Sequence, residues 1–568
     1  MLAVLLAAGC SSFSGRQPDV RPAPGISSPP SAASANYSGA AVKARTESHA
    51  HYAAAILHEQ NEEFDLAADA YLRAALADPA NESLVLEATS RILRYRQPEK
   101  GDNEKFAAIR PRLIELLRKA ADAPAASGLV FARLGLLYSM SGKKDLAIEA
   151  NRQAIKRLPG SISGYQYLAQ VYLQAGQTEE GLKVLDEAAR RKDADASFLI
   201  DLGETYVAFG RAGDMDAIRV RAMNVFKRAI ALKPTNPVQI QRLADGFTTL
   251  GEVDAAITSY LQLIERLPNF TAFRDKLVEL YMRKQDRTNA AIQLRAIIRE
   301  APANAQSQYL LGSVLFEDKQ TKEAVDAFRR TILLSPNFEP AYYDLAAAQM
   351  NSEQAGDALE TLRKARDKFQ PGFVGEFYTG LAYGRLKDYT NSLKHFTSAE
   401  VIARTTATNR LNHSFYFQLG AACERTQKFQ EAEKHFRKAI ALSPDFTEAL
   451  NYLGYMWAER GENLTEAREL IEKALKLEPR NAAFLDSLAW VLFKLGQPRE
   501  ALPHLLKSIE LEDEPDATLF DHLGDIYTAL KEPEKAREAW QKSLAIEPSD
   551  KVAAKLKAAA TPAPADTR

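Results

Sequence analysis

The sequence predicts an all-α protein built from about fourteen stacked helix–turn–helix units. From residue 48 onward, apolar residues recur at helical spacing between short turns that contain Gly, Asp, Asn and Pro. Almost no stretch alternates apolar and polar residues as a half-buried strand would. Prolines also recur at a fixed interval, since Pro234, Pro268, Pro302 and Pro336 are each 34 residues apart. One structural unit is therefore expected to repeat along the chain.

The chain begins MLAVLLAAGC, a short apolar run that stops at Cys10. LAAGC, residues 6–10, resembles the lipobox of bacterial lipoprotein signals, in which a peptidase cuts before the cysteine and lipid is attached to it. The resemblance implies a signal at residues 1–9, lipidation of Cys10 and, because Ser11 follows, sorting to the outer membrane. No Lys or Arg precedes Cys10, so we expect the true start to lie upstream of Met1. The alternatives are an unusually short signal or a chance apolar N-terminus.

Residues 10–46 are rich in Ser, Pro, Ala and Gly. They contain too few large apolar side chains to offset the entropy lost on ordering. We expect a disordered tether at 10–46, followed by the repeat solenoid at 47–548.

Side chains also repeat with the prolines. The unit from His413 to Pro444 resembles the tetratricopeptide repeat, in which a large aromatic, a Leu-Gly pair, a small residue, a second aromatic and a small residue occupy fixed positions. These positions are filled here by Tyr416, Leu419, Gly420, Ala432, Phe436 and Ala439. The unit from Ala517 to Pro548 repeats the pattern with Phe520, Leu523, Gly524, Tyr527, Ala536 and Trp540. The resemblance implies a right-handed superhelix.

The pattern has a physical basis. Small residues let paired helices approach closely, rings fill the gap between neighbours, and proline ends the second helix because it donates no amide hydrogen. Insertions at 96–106, 210–221 and 403–412 are expected to lie in turns. Residues 549–568 are expected to form a capping helix and a disordered tail.

Composition excludes several classes of function. The chain has 568 residues, with 73 Lys plus Arg against 74 Asp plus Glu, so it has no basic surface excess for nucleic acid. No apolar run approaches the ~20 residues of a membrane-spanning helix, so lipid is the only expected membrane contact. Only Cys10 and Cys423 occur, which excludes a disulfide framework.

The residues give no support for catalysis. His49, His51 and His58 lack the spacing of a helical metal site, and Cys423 occupies a packed position of its repeat with no histidine placed to activate it. Nucleophile, phosphate-binding and zinc-protease motifs are missing from the sequence. We expect no enzyme, no cofactor, no metal and no small-molecule substrate.

The predicted binding surface is the inward-facing row of the first helix of each unit. Its aromatic side chains suit peptide recognition, although the same residues could pack between neighbouring repeats instead. The candidates from the eighth to the thirteenth unit are Tyr309, Phe316, Tyr343, Phe377, Phe417, Asn451, Tyr455, Asp486, Trp490 and Phe493. In the last unit, Asp521 and Asp525 face inward and disfavour acidic C-terminal tails.

Residues 451–511 are similar to the C-terminal region of bacterial tetratricopeptide lipoproteins that resemble the adaptor of a periplasmic carboxyl-terminal processing protease. The resemblance implies a lipid-anchored scaffold that binds the protease and its substrates. Two alternatives stay open. One is an assembly lipoprotein of a polysaccharide-export, pilus or secretion machinery, and the other is a regulatory subunit whose catalytic domain lies on another chain.

Overall fold

The structure, a computed structural model, describes residues 39–95, 103–212, 215–512 and 514–560. Within these ranges the regular structure consists of 29 α-helices and one short 3₁₀ helix, without a β-strand. The chain divides into two compact units, residues up to 286 and residues from 287 onward. The prediction of an all-α solenoid of helical hairpins is confirmed.

As predicted, each hairpin consists of a first helix, which has an odd number below, and a second helix, which has the next even number. The helix α29 follows the last hairpin. In the first unit they are α1 (Gly39–Gln60), α2 (Phe64–Ala77), α3 (Glu82–Tyr95), α4 (Asn103–Ala121), α5 (Gly128–Met140), α6 (Lys144–Arg157), α7 (Ile162–Gln174), α8 (Thr178–Ala189), α9 (Ala196–Ala212), α10 (Met215–Ala231), α11 (Pro237–Thr249), α12 (Val253–Arg266) and α13 (Thr271–Arg283). In the second unit they are α14 (Arg287–Glu300), α15 (Ala305–Glu317), α16 (Thr321–Leu334), α17 (Glu339–Asn351), α18 (Ala355–Lys368), α19 (Phe373–Arg385), α20 (Tyr389–Thr406), α21 (His413–Arg425), α22 (Phe429–Leu442), α23 (Thr447–Arg460), α24 (Leu464–Leu477), α25 (Ala482–Lys494), α26 (Pro498–Leu511), α27 (Ala517–Ala529), α28 (Pro533–Ile546) and α29 (Asp550–Ala560).

In four hairpins of the second unit, the two helices meet where a glycine of the first helix lies against a ring of the second. A Cβ atom added to Gly312 would lie 2.7 Å from the Phe328 ring, and one added to Gly420 would lie 2.8 Å from the Phe436 ring. Both distances are shorter than real carbon contacts, so the close approach requires glycine. The same pairing recurs at Gly380 with Phe396 and at Gly524 with Trp540.

In the hairpins whose turns the structure describes, the turn uses left-handed backbone. Gly461 and Gly496 have φ of 69° and 78°, and Lys319 occupies the equivalent place with φ of 60°. The next residue then bonds back to the helix, as when the Gln320 amide donates to the Leu315 carbonyl at 2.9 Å.

The repeat prolines follow the second helices, as predicted. α16 ends at Leu334, two residues before Pro336, and α22 ends at Leu442, two residues before Pro444. Proline cannot donate the next helical hydrogen bond, and it disfavours helical backbone in the residue before it.

One predicted boundary, between the tether and the repeats, differs from the structure. α1 begins at Gly39, inside the segment assigned to the tether at 10–46, because residues 39–46 are rich in alanine and free of proline. The rest of that tether, the signal at 1–9 and Cys10 lie outside the described residues. At the other end, α29 forms the expected capping helix, and residues 561–568 lie outside the described part.

The expectation that the insertions lie in turns is wrong for two of them. The insertion at 210–221 falls largely within α9 and α10, which reach 17 residues each, and part of that at 403–412 lengthens α20 to 18 residues before a 3₁₀ helix at Thr408–Arg410. The residues added in these helices are mostly good helix formers without proline, so the helices continue. Residues 96–102 of the first insertion are outside the described ranges.

Candidate functional site

The predicted binding residues all lie on first helices of the second unit, and we call these ten positions the first-helix face. First helices of consecutive hairpins contact one another, α15 with α17, α17 with α19, α23 with α25 and α25 with α27. The ten residues of the first-helix face therefore lie on one layer of neighbouring helices within this unit.

At one end of the face, side chains join hairpins across one repeat length. The Tyr309 hydroxyl donates to Asp344 Oδ2 at 2.6 Å, and burial together with this bond raises the pKa of Tyr309 to about 12. The Tyr343 ring stacks with Tyr378 at 6.5 Å. Phe316, Tyr309 and Tyr343 are all half-buried. These residues both support the fold and keep part of their surface open.

The central rings belong to aromatic clusters. The Phe377 ring lies 5.7 Å from Phe396 and 6.1 Å from Phe415. The Phe417 ring lies 5.6 Å from Tyr452 of the next hairpin. Both phenylalanines remain half-buried, so each offers the rest of its surface to a partner.

Asn451 and Tyr455 lie one helical turn apart on α23. The Asn451 Oδ1 atom is buried and has no hydrogen-bond partner among the described residues. Burial, with Glu459 and Asp486 nearby, raises the pKa of Tyr455 above its ordinary value. An unpaired buried carbonyl oxygen is costly, so this oxygen is a ready acceptor for an incoming donor.

Asp486 and Trp490 are buried, at 8% and 4% exposure. Asp486 Oδ1 accepts from His522 Nδ1 at 2.8 Å, and the Trp490 ring stacks on His522 at 3.9 Å and on Phe493 at 5.0 Å. Trp490 Nε1 is buried without a partner in the described structure. Packing therefore fixes these two side chains, while Phe493 is half-buried. Binding by the face as a whole stays a prediction.

A cleft of about 360 Å³ opens beside the face, between α19, α20 and α21. We call it the arginine cleft, because Arg385 and Arg425 stand at its exposed edge. Sequence reasoning did not identify it. It depends on Gly384 of α19 and on how α21 packs beside α20, which no local pattern reveals.

A buried charged cluster was also missed. His395 Nδ1 donates to Glu376 Oε2 at 2.7 Å, and Arg366 donates to Glu376 Oε1 at 3.0 Å. Glu376 and His395 are each 8% exposed. Burial would raise the pKa of Glu376, but the bond from His395 and the charge of Arg366 outweigh it and lower the pKa. The three residues come from different helices, so spacing gives no sign of the cluster.

The inward acidic pair of the last hairpin forms ion pairs with one lysine of the capping helix. Lys555 Nζ lies 2.6 Å from both Asp521 Oδ1 and Asp525 Oδ2. Burial raises the pKa of Asp525 although Lys555 opposes the change. Lys555 follows Asp521 by 34 residues, one repeat length, so the repeat register could have revealed this ion pair.

Cys423 and the histidines considered as metal ligands form no catalytic or metal site within the described part of the chain. Cys423 is 1% exposed, and burial raises the pKa of its thiol to about 11. His58 Nδ1 pairs with Glu63 Oε2 at 2.6 Å. In the described ranges we find neither three metal-ligating side chains grouped together nor a helix apolar and long enough to span a membrane.

Comparison with known families agrees with this architecture. Three models, each described as a tetratricopeptide repeat, match residues 276–337, 413–446 and 457–555. The chain contains tetratricopeptide repeats. The matches cover both first and second helices and include the hairpin that holds Trp490, whereas Asn451 lies between two matched segments.

Curated relatives of this tetratricopeptide-repeat protein are distant. BBSome complex member BBS4 of Bos taurus is 22% identical over 328 residues, which cover 55% of this chain and 60% of the relative. The peroxisomal targeting signal receptor of Saccharomyces cerevisiae is 26% identical over 246 residues, 40% of this chain and 39% of the receptor. The chain spans only part of the length of either relative.

Among solved structures, the protein is similar to the APC/C hetero-tetramer Cut9–Hcn1, with a TM-score of 0.40 and 16% identity over 83% of this chain and 98% of the other. A tetratricopeptide repeat protein from Parabacteroides merdae gives a TM-score of 0.37 and 16% identity over 45% of this chain and 99% of the other.

Proposed function

We propose that this chain is a non-catalytic scaffold that binds segments of partner proteins on its first-helix face. The observation that carries the proposal is the row of half-buried rings on the first helices, together with Asn451 Oδ1, a buried acceptor that has no partner among the described residues. Rigid rings bury large areas at little entropic cost. An unpaired amide oxygen can accept from the backbone N–H of an extended peptide. The named functions of the relatives, a targeting-signal receptor and a member of a protein complex, support the same role.

We further propose that lipid on Cys10 anchors the scaffold to the bacterial outer membrane, facing the periplasm. The LAAGC sequence and the Ser- and Pro-rich segment after it support this proposal. Several acyl chains, at ~0.8 kcal/mol per buried methylene, would anchor the protein firmly. In this setting the partners are a processing protease and its substrates, and the alternative is an assembly lipoprotein of an export, pilus or secretion machinery.

Site-specific photocrosslinking in cells tests the binding surface. A photoreactive phenylalanine replaces Ser414, which is exposed on α21 one turn from Phe417, and in a matched control it replaces Lys434, which is exposed on α22. We expect a crosslinked protein at Ser414 and little or none at Lys434. A processing protease in that band supports the adaptor role, and a pore, pilus or export subunit supports the alternative. Equal capture at both positions, or none at either, contradicts the proposed surface.

Membrane fractionation tests the anchor. We expect the Cys10→Ala variant to lose incorporation of radiolabelled palmitate and to leave the outer-membrane fraction, while Ser11→Ala keeps both. Normal labelling of Cys10→Ala contradicts lipidation.

A further inference from the structure

The arginine cleft has an apolar floor and a charged mouth. Phe396 and Ala422 at its floor are 2% and 4% exposed, whereas Arg385 and Arg425 at its edge are exposed. The Ser392 hydroxyl lies among the floor residues, but it already donates to the Gly380 carbonyl at 2.8 Å. The floor therefore favours an apolar group, and any anionic group has to stay at the mouth.

The cleft has room because α19 carries glycine where other first helices carry side chains. A Cβ atom on Gly384 would meet only Ser392 Oγ, at 3.4 Å, so the space above it is open. The equivalent place in α15 is filled by Phe316 and in α25 by Phe493. The volume of about 360 Å³ lies in the range that proteins use for specific ligands and holds a large side chain with its neighbouring backbone.

The charge at the mouth is positive. Arg385 forms no ion pair with any described residue, and Arg425 shares its charge with Glu424, whose Oε2 lies 3.3 Å from its Nε. The Arg425 guanidinium also lies 5.7 Å from the Tyr389 ring, which holds it at the rim. Two guanidinium groups against one carboxylate leave a site complementary to an added negative charge.

We propose that the arginine cleft is a specificity pocket for a partner segment in which a large apolar side chain stands next to an aspartate or glutamate. The apolar side chain enters between Leu381 and Phe396, and the adjacent carboxylate pairs with Arg385 and Arg425. The first helices α19 and α21, which carry Phe377 and Phe417 of the first-helix face, line the cleft together with the second helix α20. One extended segment can therefore reach both the cleft and the face. This inference rests on the proposed scaffold function and names the chemistry of the partner.

Selection from a phage library of random 16-residue peptides on the purified chain tests the pocket. We expect enriched peptides to carry an acidic residue beside a large apolar residue. Synthetic copies are then measured by fluorescence anisotropy against three variants. Gly384→Leu should fill the cleft and weaken binding ~10-fold or more, as expected when a buried apolar side chain loses its site. The double charge reversal Arg385→Glu with Arg425→Glu should weaken binding by a similar factor and remove most of its dependence on salt.

Matched controls separate the pocket from general damage. Gly356→Leu changes an exposed glycine of α18, and Arg330→Glu reverses an exposed charge on α16; both should bind as the unchanged chain does. Circular dichroism should be the same for all variants, because Gly384 lies in a helix with space for a side chain. Enriched peptides without acidic residues, or binding unchanged by Gly384→Leu, would overturn the pocket and leave the scaffold function standing. A selection that enriches nothing would count against both.

Discussion

The rings of Trp490 and His522 stack with their planes 14° apart and their centroids 3.9 Å apart. Trp490 belongs to α25 and His522 to α27, the first helices of consecutive hairpins. Asp486 accepts a hydrogen bond from the His522 imidazole. A side chain that the sequence places on a binding row is thus also a link between repeats. Substitution of Trp490 should therefore lower the stability of these hairpins, whatever its effect on partner binding.

We expect Trp490→Ala to destabilise the C-terminal hairpins by ~3–5 kcal/mol, the usual cost of emptying a buried aromatic site. Hydrogen exchange of the α25 and α27 amides measures the loss. Phe493→Ala serves as the matched control, since Phe493 is half-buried on the same helix and should cost much less. Similar protection in the two variants would show that the stacking on His522 contributes little.

Glu376 should make stability depend on pH. Its pKa is lowered in the folded chain, where burial is outweighed by His395, Arg366 and Lys394, so its ionised form contributes stability above the unfolded-state pKa of ~4.3 and loses it as pH falls through the folded value. Glu376→Gln should therefore lower the urea midpoint at pH 7, and the difference should shrink below pH ~4. Glu360→Gln, an exposed control, should have little effect at either pH. A constant difference between pH 7 and pH 3 contradicts the assignment.

Lys555 should fix the capping helix to the last hairpin. Lys555→Met leaves Asp521 and Asp525 facing each other without a cation, and we expect faster hydrogen exchange throughout α29. Lys551→Met removes an exposed lysine of the same helix and should leave exchange unchanged. If both variants behave alike, the ion pairs are not what holds α29.

Cys423 should be inert in the folded chain. Burial raises its pKa to about 11, so little thiolate exists at pH 8, and the sulfur is 1% exposed. In a Cys10→Ser background, where it is the one thiol of the sequence, reaction with Ellman's reagent should be slow until urea unfolds the chain. Rapid labelling without urea would contradict this packing.

Two glycines of first helices should respond in opposite directions to alanine. Gly312→Ala places a Cβ 2.7 Å from the Phe328 ring and should cost ~1–3 kcal/mol through overpacking. Gly384→Ala has space and should be neutral or gain up to ~1 kcal/mol from helix propensity. Thermal unfolding of both variants tests the difference, and equal shifts would contradict the packing at Gly312.

The repeat could be predicted because its causes are local and recur. Proline positions set the ends of second helices, and in four hairpins a glycine followed sixteen residues later by a ring marks the close contact between paired helices. Links between hairpins also follow the register, since Tyr309 reaches Asp344 and Asp521 reaches Lys555 across 35 and 34 residues.

Features that do not follow the spacing of the repeat could not be predicted from the sequence. The insertion at 210–221 extends helices because nothing in it stops them, and the Glu376–His395 pair depends on how α19 and α20 face each other. The arginine cleft has room because Gly384 has no side chain, and a missing side chain at one position leaves no repeating pattern in the sequence. Whether a ring of the first-helix face binds or packs is likewise decided by its neighbours in space.

The hydrogen bond between Tyr309 and Asp344 and the ion pair between Lys555 and Asp521 each join one repeat only to the next repeat. A pulling force on either unit would therefore load one interface at a time, and hairpins would detach in sequence. Each step would release a similar length of chain, so the protein would extend as a stepwise spring rather than break as a single body.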